Sequence, residues 1–531
     1  MNQTPDVPDF YALVQSHAKG RPDAIAVADG ARRITYAQFV VDIETVSRRL
    51  NTHGLAPGSR AVVFMSSPYL HWLAVIALWR IRVISVSVFN LTEPGLFELL
   101  RANVLISDHD NLTADGGGAI ALTNAWLSAG ADTLPPIAER PFDANQPVRI
   151  LLSSGTTGTP KKILFSNAII GARIRNTIAD YGIGPQTRLM SVVGLDTAGG
   201  FVYSVVTWAA GGSVAFYERE MPFDQLMILT GANLLFMSPV QAANIVNTLP
   251  DNSQPDPALT LMVAGGRLPQ IVGERTKARL ASTIWVIYGS TEAGTVTLSL
   301  EPEYANPELV GPLVPTAEVQ IVDSTGQAVS HGTIGEVRMR GVCCVTSYLD
   351  DPDGSRAYFK DGWFHPGDLG TLSESGALSV VGRVGDVMNL GGLKIAPGVI
   401  EDALFECRGV KDLAAFSVPD AEGTESLWLA VSAGKDFVQD ALLQFFRERF
   451  PHRQPPNVAL VDEIPRNGMA KVQRNLLRDR VKQELAAEAA GTITVTFESR
   501  PTTAGANTKN QEKWNGRLPP QGFLKKLAKV K

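Results

Sequence analysis

The sequence contains very little cysteine: Cys343, Cys344 and Cys407 are the only three in 531 residues. Two of them are adjacent and no Cys-x-x-Cys pair occurs, so the sequence predicts neither a disulfide framework nor a zinc site. A cysteine content this low fits a reducing compartment, and we expect the protein to be cytoplasmic.

Long apolar runs and a surplus of basic residues are also missing. The longest apolar stretches, such as residues 72–79, are shorter than the roughly 20 residues that a transmembrane helix needs. The N-terminus lacks the basic and apolar segments of a signal peptide. The net charge of −5 gives no support for nucleic-acid binding, which usually shows a basic surplus. We therefore expect neither a transmembrane segment nor a nucleic-acid partner.

The chain is too long for one hydrophobic core, since single cores stop growing at about 250–300 residues. Through the first 300 residues, short apolar runs alternate with helical patterns, which is typical of an α/β fold with largely parallel, buried strands. From about residue 317 to 382, shorter strands with glycine turns predict a small β subdomain. The predicted strands include residues 60–64, 148–152, 234–236, 261–264 and 283–288, and the predicted helices include residues 39–50 and 241–248.

A second, smaller unit is predicted to begin at Asp386. Residues 386–490 alternate helical and strand patterns and have the size of a small α+β domain. Residues 491–531 are predicted to be a mostly disordered tail. The tail ends in a short basic amphipathic segment, 523–531, which is interpreted either as solvated chain or as a docking or membrane-surface element.

A loop rich in glycine and hydroxyl groups follows the predicted strand that ends at Leu152. Gly155 and Gly158 let the backbone turn tightly and direct amide groups at an anion. Lys161 adds a positive charge that can offset a triphosphate. The spacing is not that of a Walker loop, which disfavours a P-loop kinase or ATPase. The hydroxyl-bearing residues of the loop are Ser153, Ser154, Thr156, Thr157 and Thr159.

This loop resembles the phosphate-binding signature of the adenylate-forming superfamily, which includes acyl- and aryl-CoA synthetases, adenylation domains of peptide synthetases, and luciferases. Five further motifs follow in the order of that family, so the resemblance covers roughly residues 10–480. It implies an AMP-forming acid–thiol ligase that uses ATP and Mg²⁺ to convert a carboxylic acid into an acyl-adenylate. It also implies a large N-terminal adenylation domain, residues 1–385, and a small mobile C-terminal domain, residues 386–490, that carries a catalytic lysine.

Two glycine-containing turns resemble the adenine and magnesium motifs of the family. Gly265 and Gly266 would let the flat adenine ring approach the backbone. In the second turn, the aromatic ring would stack on adenine, the threonine would contact phosphate, and the glutamate would hold Mg²⁺, which takes carboxylate and phosphate oxygens. The residues of this second turn are Tyr288, Gly289, Thr291 and Glu292.

Further motifs resemble the ribose, hinge and catalytic-lysine segments of the family. Asp368 would accept hydrogen bonds from the ribose hydroxyls, and Arg383 would bind ribose or phosphate. Asp386 would be the hinge between the domains. Lys471 would act on the α-phosphate and, with Thr156 and Glu292, completes the predicted catalytic set. Access of the thiol is assigned to Gly391, Gly392 and Lys394.

The segment that would contact the acid leaves the substrate open. The predicted pocket is formed by Asp196, Thr197, Phe236 and Gly265. Asp196 either marks an amino-acid substrate, as in peptide-synthetase adenylation domains, or is a polar loop residue. The acceptor is most simply CoA. The alternative is a stand-alone adenylation enzyme that loads an acyl, aryl or amino acid onto the phosphopantetheine of a separate carrier protein. A non-catalytic homologue is disfavoured because the motif residues are intact.

Overall fold

A computed structural model gives the fold of residues 7–91, 95–109, 112, 117–128, 133–138, 140–153, 160–218, 220–300, 302–306, 308–390, 393–419, 425–451, 453–466, 472–489 and 524–528. For residues 393–394, 486–489 and 524–528 it describes the backbone alone. The chain divides into two compact units. The first consists of Met1–Pro366 with Gly370–Val380, and the second of Gly367–Leu369 with Val381–Lys531.

The first unit contains most of the helices and strands. The elements that precede the predicted phosphate loop are α1 (Phe10–Gly20), β1 (Ile25–Asp29), β2 (Arg32–Thr35), α2 (Tyr36–Thr52), β3 (Arg60–Phe64), α3 (Pro68–Arg80), β4 (Ile84–Ser87), α4 (Leu96–Leu100), β5 (Val104–Ser107), β6 (Gly118–Ala121), α5 (Ala125–Ser128) and β7 (Pro147–Ser153). After the loop follow β8 (Lys161–Ser166), α6 (Asn167–Tyr181), β9 (Arg188–Ser191), α7 (Ala198–Ala209), β10 (Ser213–Phe216), α8 (Phe223–Thr230), β11 (Leu234–Met237), α9 (Pro239–Thr248), β12 (Asp256–Val263), α10 (Gln270–Arg279), β13 (Ala281–Ser290) and β14 (Gly294–Ser299).

These strands form two large sheets. One has eight strands in the order β14-β13-β12-β11-β9-β10-β1-β2, and the other has six in the order β6-β5-β3-β4-β7-β8. Both are parallel except at their edges, where β1 pairs with β2, β7 with β8 and β13 with β14 in antiparallel fashion. Central strands such as β11 are buried at every position, as expected when helices cover both faces of a parallel sheet. The predicted α/β fold is therefore confirmed.

A smaller, antiparallel sheet follows along the chain. Its elements are β15 (Leu309–Pro312), β16 (Ala317–Val322), β17 (Gly335–Gly341), α11 (Pro352–Tyr358), β18 (Phe359–Lys360), β19 (Trp363–Phe364), β20 (Asp368–Leu372) and β21 (Ala377–Arg383). The strand order is β15-β21-β20-β17-β19-β18, with β16 paired to β17. The six residues of β16 alternate in burial along part of the strand, the pattern of a sheet with one face in the core. This sheet agrees with the predicted β subdomain.

The second unit is an α+β domain. It contains β22 (Met388–Leu390), β23 (Leu393–Ile395), α12 (Pro397–Leu404), β24 (Val410–Pro419), β25 (Glu425–Ala433), α13 (Gln439–Arg449), β26 (Asn457–Val461), α14 (Arg474–Ala489) and β27 (Leu524–Ala528). Strands β24 to β27 form one sheet in that order, in which β25 and β26 are parallel. The continuous part of this unit begins at Val381, shortly before the boundary predicted at residue 386.

The predicted disordered tail differs from the structure in one segment. Within residues 491–531, the structure describes Leu524–Ala528 and shows it as a strand antiparallel to β26. Ladder hydrogen bonds to β26 satisfy backbone groups that a tail without structure would leave to water. None of the helices in the described part of the chain is both long and apolar enough to cross a membrane.

Candidate active site

The predicted phosphate loop connects two antiparallel strands of the six-stranded sheet. Ser153 at the end of β7 lies opposite Lys161 at the start of β8. The loop thus leaves the carboxyl end of β7, the edge of a parallel sheet at which ligands usually bind. Six predicted phosphate-binding residues lie outside the described residues: Ser154, Gly155, Thr156, Thr157, Gly158 and Thr159.

Lys161 is held by an acidic side chain that the sequence did not indicate. Its Nζ donates to Oδ2 of Asp351 at 2.6 Å, and it lies 5.7 Å from the ring centroid of Tyr348. The other carboxylate oxygen of Asp351 accepts the backbone N–H of Gly354 at 2.8 Å and so caps α11. The hydrogen bond from Lys161 holds the pKa of Asp351 below its usual value. Lys161 is therefore a fixed cation at the edge of the loop.

The predicted adenine-binding glycines follow β12. Gly265 has a φ of +88°, a left-handed conformation that strongly favours glycine. The next side chain, Arg267, forms an ion pair with Glu308, with 3.6 Å between Nη1 and Oε1, and both side chains are partly buried. Arg267 is thus tied to a neighbouring segment of the same unit.

The predicted magnesium motif forms the tight connection between β13 and β14. A Cβ on Gly289 would lie 2.1 Å from the carbonyl oxygen of Gly294, so the hairpin can close only with glycine at this position. Glu292 lies in the turn and is only 7% exposed. The hydroxyl of Tyr348 donates to its Oε1 at 2.9 Å. Tyr288, on the strand before the turn, is half-buried.

A single buried carboxylate of this kind fits a magnesium ion. Mg²⁺ prefers oxygen ligands and commonly takes one or two carboxylates from the protein and the rest from substrate phosphates and water. Glu292 offers such oxygens with one of them already oriented by Tyr348. In the described residues, no group of three or more metal-ligating side chains is found.

The second unit brings together the predicted ribose-binding residues. Nε of Arg383 donates to Oδ1 of Asp368 at 3.1 Å, and Asp368 is 8% exposed. The predicted hinge residue, Asp386, faces two arginines of α14, with 3.6 Å to Nη1 of Arg474 and 3.9 Å to Nη2 of Arg478. Burial alone would lower the pKa of Arg474, but the carboxylates of Glu401 and Asp386 raise it. The predicted hinge is thus anchored to α14.

Two predicted sites of the second unit fall largely outside the described residues. Gly391 and Gly392 lie outside them, and of Lys394 the structure describes only the backbone, which pairs with Asn389. Lys471 also lies outside. Residues flanking its loop are described: Arg466 and Val472 form an antiparallel bridge, and the backbone N–H of Gln473 donates to the carbonyl of Pro465 at 2.8 Å.

In the predicted acid pocket, Thr197 and Phe236 are engaged in contacts within the protein. Thr197 is 7% exposed and caps α7, since its hydroxyl accepts the N–H of Gly200 at 3.0 Å and donates to the carbonyl of Gly194 at 2.7 Å. The ring of Phe236 packs so tightly that a Cβ on Gly199 would lie 2.3 Å from it. Asp196 remains partly exposed. Burial raises its pKa to about 6, although its own backbone N–H and Arg149 both favour the charged form.

Comparison with known proteins identifies the family. The family model described as AMP-binding enzyme matches residues 14–349, which is more than half of the chain. The chain belongs to this family. Its relatives include a feruloyl-CoA synthase of Amycolatopsis sp., 26% identical over 482 residues with 87% of this chain and 97% of that protein covered. They also include a sulfoacetate–CoA ligase of Cupriavidus necator, 26% identical with 88% and 97% covered.

Solved structures of family members share the fold. ATP-bound MatB from Rhodopseudomonas palustris has a TM-score of 0.78 at 23% identity, with 89% of this chain and 99% of that chain covered. The o-succinylbenzoate CoA synthetase MenE from Bacillus subtilis, in complex with ATP and magnesium ion, has a TM-score of 0.77 at 20% identity, with 88% and 99% covered. These likenesses establish the fold.

Membership of the AMP-binding enzyme family confirms the resemblance and the predicted enzyme class. The protein is an AMP-forming enzyme of the acid–thiol ligase class. The role of each individual residue stays a prediction. Sequence reasoning missed two hydrogen-bond partners: Tyr348, which binds Glu292, and Asp351, which binds Lys161. Each partner lies far from its residue along the chain.

Sequence reasoning also missed a buried arginine that contacts the backbone next to Asp196. Arg149 is fully buried on β7 and donates to the carbonyl of Leu195 at 2.9 Å and to Oγ of Ser87, also at 2.9 Å. Burial lowers the pKa of Arg149 to about 9, against the opposing effect of Asp196. The signal was available: a charged residue in the otherwise apolar strand sequence Val148-Arg-Ile-Leu-Leu152 is unusual in a buried strand.

Proposed function

We propose that this enzyme joins a carboxylic acid to coenzyme A through an acyl-adenylate. The observation that carries the proposal is the convergence of two predicted ATP-binding side chains on one turn, Tyr348–Asp351. Glu292 receives the hydroxyl of Tyr348 at 2.9 Å, and Lys161 donates to Asp351 at 2.6 Å. A carboxylate for a metal and an ammonium for a phosphate are thus presented from neighbouring positions, which is the charge pattern that a metal-bound triphosphate needs.

In the proposed reaction, the chain binds and orients two anionic reactants. A carboxylate oxygen of the acid attacks the α-phosphorus of ATP, the bond from that phosphorus to the bridging oxygen breaks, and pyrophosphate leaves. Lys161 would hold the outer phosphates, Lys471 would stabilise charge on the α-phosphate, and Asp368 would hold the ribose. Mg²⁺ on Glu292 would offset the negative charge of the phosphates. Positioning and charge stabilisation of this kind supply most of the catalysis in phosphoryl chemistry.

In the second half-reaction, a thiolate attacks the acyl carbonyl and AMP leaves. Coenzyme A is the proposed acceptor, since relatives aligned over nearly their full length are named as CoA ligases or synthases. A carrier protein is the second candidate, because a fatty acid–[acyl-carrier-protein] ligase of Streptomyces coeruleorubidus is 25% identical over 509 residues. The two acceptors differ in size, so assays with free CoA and with a phosphopantetheinylated carrier distinguish them.

The substrate is proposed to be an acid without an ammonium group. Asp196 would have to bind such a group, but the buried Arg149 donates to the carbonyl of the preceding residue, Leu195. Arg149 already interacts electrostatically with Asp196, so an ammonium group bound at Asp196 would also be repelled by the guanidinium. This contact favours the interpretation of Asp196 as a loop residue over its interpretation as the mark of an amino-acid substrate.

The proposal is tested by acid-dependent ATP–pyrophosphate exchange with paired acids that differ only in an amino group, such as phenylalanine and 3-phenylpropanoate. We expect exchange with aryl or fatty acids and little with their amino counterparts. We expect Lys471→Ala to lower exchange by more than tenfold, a loss above about 1.4 kcal/mol, while thioester formation from supplied acyl-adenylate persists. Exchange with no free acid in a broad panel would contradict adenylation, and a preference for amino acids would contradict the substrate class.

A further inference from the structure

The carboxylate proposed to hold Mg²⁺, that of Glu292, accepts a hydrogen bond from a tyrosine that belongs to none of the motifs identified in the sequence. The hydroxyl of Tyr348 donates to Oε1 of Glu292 at 2.9 Å, and the two side chains are 6% and 7% exposed. We infer that Tyr348 is the positioning residue that fixes the metal-binding rotamer of Glu292. This inference rests on the proposed function, and in particular on the metal-binding role of Glu292.

The backbone around Glu292 is fixed independently of Tyr348. Arg173, which is 4% exposed on α6, donates from Nη2 to the carbonyl of Thr291 at 2.8 Å and to that of Cys343 at 3.0 Å. The backbone N–H of Val345 donates to the carbonyl of Glu292 at 2.9 Å. These bonds set where the Cα of Glu292 lies. The direction of its carboxylate still depends on side-chain torsions, and the bond from Tyr348 restricts them.

Tyr348 is itself held in place by ring contacts and backbone hydrogen bonds. Its ring meets the rings of Tyr358 and Phe359 edge-on, with centroids 5.8 Å and 5.2 Å away. Its backbone N–H donates to Oγ of Ser355 at 3.0 Å. The next residue, Leu349, donates its N–H to the carbonyl of Lys162 on β8 at 2.8 Å. Tyr348 is thus connected both to α11 and to the strand that follows the phosphate loop.

The chemistry of the contact suits a metal ligand. A phenol donates one hydrogen bond to one oxygen of a carboxylate, and the carboxylate keeps lone pairs on both oxygens for a cation. Hydrogen bonds to metal-binding carboxylates orient them, and loss of such outer partners typically lowers metal affinity or activity by about 10–100-fold. A free carboxylate would have to give up rotamer freedom whenever the metal–nucleotide complex binds. The hydrogen bond from Tyr348 restricts the rotamers of Glu292 before ATP binds, so binding no longer has to do so.

Tyr348→Phe tests the inference because it removes only the hydroxyl and keeps the ring contacts. The dissociation constant of ATP is measured by calorimetry without any acid substrate, once in excess Mg²⁺ and once in EDTA. We expect the variant to bind ATP about tenfold more weakly than the wild type in Mg²⁺, which is about 1.4 kcal/mol, and equally well in EDTA. The matched control is Tyr358→Phe, which removes the hydroxyl of the neighbouring ring and should bind as the wild type does in both conditions.

The outcomes separate this inference from the proposed function on which it rests. Glu292→Gln serves as the reference and should lose most of the gain in ATP affinity that Mg²⁺ provides. If it does and Tyr348→Phe does not, the positioning role is wrong while the proposed metal ligand stands. If Tyr348→Phe weakens ATP binding equally in Mg²⁺ and in EDTA, the tyrosine has a general structural role and the inference is overturned. If Glu292→Gln keeps the full effect of Mg²⁺, the proposed metal ligand is wrong and the inference falls with it.

Discussion

Lys161 has an anionic partner within the protein, Asp351. Its Nζ lies 2.6 Å from Oδ2 of Asp351, and the two side chains are 18% and 28% exposed. An ion pair that retains this much contact with water contributes little to stability. The carboxylate does, however, neutralise the cation that would otherwise attract phosphate. Phosphate binding at Lys161 therefore has to compete with Asp351.

We predict that Asp351→Asn strengthens the binding of pyrophosphate. The amide still caps α11, because asparagine caps helices about as well as aspartate, but it no longer neutralises Lys161. Removal of one negative charge beside a partly exposed cation should lower the dissociation constant of pyrophosphate by about three- to tenfold, with little change in Tm. Calorimetric titration of the wild type and the variant with pyrophosphate measures the two dissociation constants directly.

Asp353→Asn is the matched control for this prediction. Asp353 lies on the same helix and pairs with Arg356, and its side chain is 91% exposed. Its substitution changes the net charge equally but leaves Lys161 paired. Equal effects of the two substitutions would show that only net charge matters. Weaker pyrophosphate binding in Asp351→Asn would show that Asp351 holds Lys161 in place for the phosphate.

At the scale of elements, Arg466 and Val472 flank the segment that contains Lys471 and form a stem, which Arg466 ties to β24. Arg466, the residue before the loop, donates from Nη2 to Oδ1 and Oδ2 of Asp412 at 2.8 Å and 3.0 Å. The same residue pairs with Val472 across the loop in a β-bridge. A planar guanidinium on both oxygens of a carboxylate fixes orientation as well as distance. The stem is thereby fixed on both sides of the lysine.

We predict that Asp412→Asn slows adenylation and leaves thioester formation intact. The amide retains one acceptor oxygen, so the two-point contact with Arg466 is lost and the stem gains freedom. Small misplacements of a catalytic group can lower the rate about 100-fold, and we expect a loss of about tenfold in pyrophosphate exchange. Asp436→Asn, which disrupts an ion pair with Arg408 whose side chains are 65% and 87% exposed, should have no effect. An equal loss in thioester formation from acyl-adenylate would contradict the prediction.

Features of the site that depend on neighbouring residues could be predicted from the sequence, and features that depend on distant residues could not. The strands around the phosphate loop and the glycines at positions 265 and 289 are set by apolar runs and tight turns, which are visible within a few neighbouring residues. The partners Tyr348 and Asp351 depend on contacts across 56 and 190 residues of chain. No periodicity encodes such contacts. Asp351 was unrecognised for the further reason that its local role, a helix cap, already accounts for an aspartate before Pro352.

At the scale of the molecule, the second unit has hydrophobic cores of its own. Alternate residues of β25 pack into two clusters on opposite faces of the sheet, as the two-residue period of a strand requires. Leu429 belongs to one cluster with Phe446, and Trp428 belongs to the other with Leu477, and all four are at most 2% exposed. Both clusters consist of residues from the second unit. A domain with its own core is expected to fold without the rest of the chain.

We therefore predict that residues 381–531, produced alone, fold cooperatively, and that residues 381–490 also fold but are less stable. The longer fragment contains β27, which pairs with β26 from Val458 to Val461 and satisfies backbone groups that the shorter fragment exposes on that edge. A difference of about 1 kcal/mol would separate the Tm values by about 2–8 °C in domains of this size. Thermal unfolding followed by near-UV circular dichroism measures it, since Trp428 is buried in the core. Equal Tm values would show that β27 contributes nothing to the unit, and the absence of a cooperative transition in both fragments would show that its cores depend on the first unit.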